Sequence, residues 1–221
     1  MAHKVDSIAA RVGLPMLLVL ALSMIAGPAA AFSYYLDDEL KEVAAQDRTA
    51  VANPQPVQVI FQITKNGAPV PSGKGYAILK DKVLDAVRAS GVFSDVSDAP
   101  SAGGAVVTIT LDSVSTPEEE RDAGRRGYLS GLTLGLAPGS ATDHYVWTVE
   151  FVASPSAPKI TETAKESLTV AVGLVQHPPP NTVKMPTYHD AIFAMIRDVV
   201  SNTLNDLAKD PGFQSGAAPG K

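Results

Sequence analysis

The 221-residue sequence contains no cysteine, which excludes disulfide staples, thiolate metal sites and the lipid-bearing cysteine of a bacterial lipoprotein. The fold must therefore stand on its apolar core alone. Aromatic residues make up 6% of the chain, with a single tryptophan, so the interior is expected to be small and tightly packed from alanine and valine. An excess of basic charge is also missing: 18 Lys and Arg stand against 23 Asp and Glu, a formal net charge of −5. Nucleic acid is not expected as a partner, because neutralising phosphates needs a basic surface. No internal repeat is visible, and the length fits one ordinary domain.

One long uncharged run is present. Val12 to Leu36 carries no charged side chain, with Lys4 and Arg11 before it and Asp37, Asp38 and Glu39 after it. A basic start, an apolar middle from Leu14 to Ala26 and the small-residue end Gly27-Pro28-Ala29-Ala30-Ala31 are the three parts of an export signal cleaved before Phe32. The run is also long enough to cross a bilayer, for which about 20 apolar residues suffice, so an uncleaved inner-membrane anchor is the second reading. The basic flank inside and acidic flank outside agree with either orientation signal, while Gly27-Pro28 interrupts a helix where cleavage would begin. Both readings put the body of the chain in the periplasm. Residues 1–31 are accordingly assigned to a signal peptide or anchor helix, 32–56 to a linker closed by Pro54 and Pro56, 57–210 to an α+β domain, and 211–221 to a flexible tail.

Within the domain, Val57, Val59, Phe61 and Ile63 alternate with Gln58 and Gln62 as in a half-buried strand. Gly75 to Ser90 predicts a helix whose Tyr76, Leu79, Val83, Ala86 and Val87 form one stripe, closed by Gly91. Four further strands are predicted at Val92 to Val96, Ala105 to Val114, His144 to Ala153 and Lys159 to Val175, the last two as a hairpin. Glu162 and Glu166 share the parity of Ile160, Ala164 and Leu168, so either a bulge shifts the register or the first half of that strand extends into water. Thr187 and Asp190 open a second helix, in which Ile192, Met195, Ile196, Val199, Val200, Leu204 and Leu207 keep helical spacing. The expected architecture is an α+β two-layer sandwich: a mixed sheet of about five strands with two helices on one face.

Chemistry is harder to find. The loop from Gly67 to Gly75 sits where a phosphate cradle would, but Ala68 stands where the motif needs glycine, and Gly75 follows Lys74 in place of Ser or Thr. Ser130 lacks the glycine spacing of a nucleophile elbow, and Asp143 and His144, adjacent on a strand, point to opposite faces. His3, His144, His177 and His189 form no i, i+4 pair, so neither a metal nor a cofactor is expected and no catalytic residue is assigned. The suggestive segment is Gly124 to Gly139, where Arg125 and Arg126 flank the alternating Leu132, Leu134 and Leu136 as in a membrane or partner contact. Packing of those leucines back on the core is the plainer alternative.

The exported start, the segment YLSGLTLGLAPG from Tyr128 to Gly139, the strand DHYVWTVEFV that follows and the closing helix together resemble a diffuse group of proteobacterial envelope proteins, many of them lipoproteins. The order of elements is similar to the small α/β domains of the Tol translocation protein's amino-terminal domain, the curli secretion channel lipoprotein and the penicillin-binding-protein activators. The missing lipidated cysteine separates this chain from the lipoproteins. The resemblance implies binding to other envelope proteins or assembly into rings, and it brings no active-site residues. The function expected is a non-enzymatic accessory or adaptor subunit of a cell-envelope assembly. The alternatives are a ring-forming or membrane-inserting component using residues 124–139, with a homo-oligomer implied, and a phosphate-ligand or hydrolytic protein.

Overall fold

Alternating strands and one-sided helices can bury their apolar faces only against each other, and the chain does so in a single sheet with helices packed on it. The computed structural model describes residues 32–73, 75–101, 103–119, 121–122, 139–173 and 178–216. The elements are β1 (Phe32–Asp37), β2 (Pro56–Lys65), β3 (Ala68–Pro69), α1 (Tyr76–Ser90), β4 (Asp95–Ser97), β5 (Val106–Val114), β6 (Gly139–Val152), β7 (Ile160–Val172), β8 (Thr182–Met185), α2 (Tyr188–Lys209) and α3 (Pro211–Gly216). The sheet runs β3-β2-β5-β6-β7-β1-β8, with β4 also paired to β2. β2 is parallel to β4 and β5, and every other pairing is antiparallel, so the fold is α+β with a mixed sheet.

Eight strands stand where about five were expected. The surplus consists of β1, β3 and β8, none of which advertises itself by alternation. β3 is two residues long and contains Pro69, and β8 is four residues long, too short for a periodic signal. β1 covers the end of the uncharged run and the start of the expected linker, where no alternation marks it. The expected amino-terminal helix falls in residues 1–31, outside the described residues.

Residues 32–37, expected in the linker, form a strand paired on both sides, with Leu36 opposite Leu168 of β7 and Val183 of β8. The rest of that segment is a strap along α2. The Val43 N–H donates to Ser201 Oγ at 3.0 Å, the Thr49 N–H to Asn205 Oδ1 at 2.7 Å, and Asn202 Nδ2 to the Lys41 carbonyl at 2.8 Å. Arg48 ties the strap to α1 by donating to the Ala89 and Val43 carbonyls. The mixed-charge run after Asp37 forms no α-helix, only a 3-10 turn at Ala45–Asp47. Backbone donors that would have closed a helix are satisfied by α2 side chains instead.

The expected tail begins with α3, whose Phe213 is 1% exposed and packs edge-on against Phe151, ring centroids 4.9 Å apart. The core unites the inward residues of β2, β5 and β6 (Val59, Ile109, Trp147) with Val83 and Val87 of α1 and Met195, Val199 and Leu204 of α2. Among the described residues, the members of that core and the side chains packed on it run from Tyr34 to Phe213.

Neither reading of the glutamate parity holds. β6 and β7 pair without a bulge from Gly139–Val172 to Phe151–Ile160, and the strand does not run out into water. Glu162 and Glu166 therefore point at α2, and Glu166 is 3% exposed.

Candidate functional site: a cavity at the amino-terminal ends of the two long helices

α1 enters its first turn from a segment with Pro69 and Pro71, and Gly75 caps it without a side-chain hydrogen bond. Only Val83, Leu84 and Val87 of this helix are buried, all in its second half. α2 starts firmly: Thr187 Oγ1 accepts from the Asp190 N–H at 3.1 Å and donates to Asp190 Oδ2 at 2.8 Å, a reciprocal cap. The consequence is a wedge between the first halves of the helices, a cavity of about 270 Å3 floored by Ile63 and Leu111 and walled by Ile78, Leu79, Ile192 and Phe193.

Tyr145, Tyr188 and His189 supply its polar lining. Tyr145 of β6 is 8% exposed and stands close to Tyr188 and Asp143. Burial pushes the Tyr145 phenol far above its ordinary range, and Tyr188 is raised by the same cause, so both remain neutral hydroxyls at any physiological pH. Tyr188 also contacts the Tyr34 ring edge-on at 5.9 Å. Beside the cavity, Tyr76 donates to the Phe61 carbonyl at 2.7 Å and stacks on the Phe61 ring, which pins the first turn of α1 to β2. On the outer side, Lys82 Nζ sits 5.5 Å from the centroid of the Phe193 ring.

Glu166 is the second unusual feature. It lies two residues before Leu168, past the end of β1, and among the described residues neither carboxylate oxygen has a well-formed hydrogen bond, the adjacent Ser167 N–H giving only weak electrostatic support. Burial, with smaller contributions from Asp37, Asp198 and Glu39, pushes its pKa up to about 8. Asp198 of α2 is raised too, chiefly by burial, and Glu162 is raised by burial and by Asp206 and Asp210. A neutral carboxylic acid thus sits under α2, sealed from solvent.

The residues singled out in the sequence scatter. Arg125, Arg126, Leu132, Leu134 and Leu136 lie outside the described residues, as do Lys74, Ser130, His3 and His177. Asp143 shares the helix face of β6 with Tyr145, while His144 faces the opposite side, its Nδ1 3.0 Å from Ser167 Oγ. That contact joins residues directly opposite each other on β6 and β7. His144 also borders a polar hollow with Thr116, Glu118, Glu119 and Ser140. Among the described residues no group of three His, Asp or Glu is placed to hold a metal ion. No helix among them is long and apolar enough to cross a membrane.

Sequence reasoning missed the cavity and the sealed acid. Glu166 left a trace as an acidic residue on the apolar parity of a strand. Tyr145 was legible as a core position, but nothing in the sequence pairs it with Tyr188, which lies 43 residues on by simple numbering. No family model and no curated relative matches the chain. Among solved structures it is similar to a dodecamer of a PelC single-substitution variant from Paraburkholderia phytofirmans, at 10% identity and a TM-score of 0.34. The match covers 80% of this chain and 97% of that one. The PelC dodecamer from the same organism matches at 9% identity and a TM-score of 0.31, with the same coverage.

Proposed function

We propose that the chain is an exported, non-enzymatic accessory subunit that acts in the bacterial cell envelope by binding other envelope proteins. The observation that carries this reading is the position of Phe32. It is the residue an export signal would leave at the start of the mature chain, and the strand that contains it, β1, is paired on both sides within the sheet. Cleavage there would leave all eight described strands in the mature chain. The architecture assumed is a two-layer sandwich, with both long helices on one face.

The absence of an enzyme role is argued from chemistry. The His144–Ser167 contact is the described pair that most resembles a base and a nucleophile. It lies across two paired strands of a long ladder whose backbone N–H groups are largely engaged, which leaves poor provision for an oxyanion. Glu166, whose raised pKa would suit acid–base work, is sealed from any substrate. In this reading the partner contact falls to residues 124–139, with Arg125, Arg126, Leu132, Leu134 and Leu136 as the first positions to change.

The test is cell fractionation with intact mass and light scattering on the same samples. A periplasmic species beginning at Phe32 is expected. A cytoplasmic species that retains Met1 would refute export. Turnover that follows the purified chain and vanishes with one polar substitution would refute the non-enzymatic role.

A further inference from the structure

The strap is thinly buried, and it begins beside the sealed acid Glu166. No residue from 38 to 55 is buried, and Leu40 and Val51 are only partly covered, whereas α2 buries 13 of its 22 residues. We propose that the strap is an alkali-released latch: loss of the Glu166 proton undocks residues 38–49 from α2 while the sheet and both long helices stay folded.

Position supplies the coupling. The pairing of β1 with β7 ends at Leu36 and Leu168, two residues short of Glu166, and the chain turns there into the strap. The charges that act on Glu166 come from three elements around it: Asp37 at the end of β1, Asp198 of α2 and Glu39 at the start of the strap, all of them carboxyls. Lys41 is paired with Asp38 at 3.3 Å, and Arg48 and Arg197 lie 3.1 Å and 3.8 Å from Glu42, so the cations of the strap and of this part of α2 are engaged elsewhere. Tyr145, directly opposite on β6, stays neutral, and Glu162, on the same face of β7, answers to Asp206 and Asp210 farther along α2. An anion at Glu166 therefore meets like charge from three elements.

What each neighbour would lose decides which of them yields. A buried carboxylate must regain water or a partner. β1 and β7 are each paired on both sides and α2 carries the core, so displacing any of them exposes apolar surface. The strap gives up hydrogen bonds that water replaces, among them Val43 N–H to Ser201 and Thr49 N–H to Asn205. In the docked state burial pushes the carboxyl up to about 8, and undocked it returns toward its ordinary 4.5, so the docked strap holds a proton that the undocked one releases. Docking is thus complete in acid, weakens by about tenfold per pH unit, and changes no further above about 8. Undocking bares the seam between α1 and α2, where Ala86, Phe193 and Ile196 line a cavity of about 220 Å3 together with Glu42 and Arg48 of the strap.

Native-state hydrogen exchange of the full chain between pH 6.5 and 8.5, corrected for the intrinsic pH dependence of exchange, tests the latch. The Val43 and Thr49 amides are expected to exchange at least tenfold faster than Ile109 in β5 at every pH, and their protection to fall by about 20-fold across the range. In Glu166→Gln that fall should shrink to less than about threefold. If this variant fails to fold, Asn202→Ala, which removes the 2.8 Å bond to the Lys41 carbonyl, gives the reciprocal reading. A loosened strap should lower the pH at which Glu166 titrates, followed by carboxyl 13C NMR, by at least about half a unit. Strap amides that exchange no faster than Ile109, protection that is flat across the range, an undiminished fall in Glu166→Gln, or an unmoved Glu166 titration in Asn202→Ala would each overturn the proposal.

Discussion

Replacing Glu166 by glutamine should remove most of the pH dependence of stability between pH 5 and 8. In the unfolded chain this carboxyl ionises near its ordinary 4.5, whereas in the fold it is pushed up to about 8. Between those values the folded protein holds a proton that the unfolded chain has released, so stability falls as pH rises through the window. The contribution is intact below about 4.5 and fully lost above about 8. At about 1.4 kcal/mol per pH unit, the window is worth roughly 5 kcal/mol at most. Water reaching the carboxylate as the strap yields lowers that figure, so a loss of at least about 2 kcal/mol is expected. Glu166→Gln keeps the shape and cannot ionise. The variant should match the parent within about 1 kcal/mol at pH 5 and exceed its stability by about 2–5 kcal/mol at pH 8. Urea unfolding of the chain from Phe32 checks this, read by Trp147, the sole tryptophan and 0% exposed. Glu162, raised in the same direction, adds slope that both proteins share, while Asp198 contributes to the Glu166 shift, so the difference between the proteins reports Glu166 together with that coupling. Parallel losses of stability in the two proteins would refute the reasoning.

Two further perturbations test the segments that sequence reading treated as loose. Phe213→Ala should cost about 3–4 kcal/mol in the same urea assay, because the ring is 1% exposed and packs on Phe151 and Phe93; an exposed tail would show a change near zero. Asn205→Ala removes the acceptor of the Thr49 N–H, which should cost about 1–3 kcal/mol and speed hydrogen exchange at Thr49 and Val43; unchanged protection would show that the strap does not depend on α2.

Legibility tracked the length of the repeating pattern. β2, β5, the β6–β7 hairpin and both long helices bury an alternating or helical stripe over nine or more residues, and each is readable for that reason. β3 and β8 have two and four residues, and they are strands only because β2 and β1 offer unpaired backbone beside them. The candidate site fared worse. Its walls come from β2, α1, β5, β6 and α2, and no local pattern reports that the first half of α1 stands away from the first half of α2.

The sequence by itself determined the α+β class, the two long helices with their caps, the lack of disulfide or thiolate support, and the acidic residues on the apolar parity of β7. These follow from residue chemistry and periodicity, which act over one turn or a few residues of strand. Tertiary structure alone decided that Phe32–Asp37 is an interior strand, that residues 38–55 strap α2, and that Glu166 is sealed beneath that helix. The first two depend on partners more than a hundred residues away, such as Leu36 with Leu168 and Thr49 with Asn205, and the third on the helix Tyr188–Lys209 folding back over β7. The apolar residues up to Leu36 would serve the end of a membrane anchor or a buried strand equally well, so only the neighbours they meet distinguish the two.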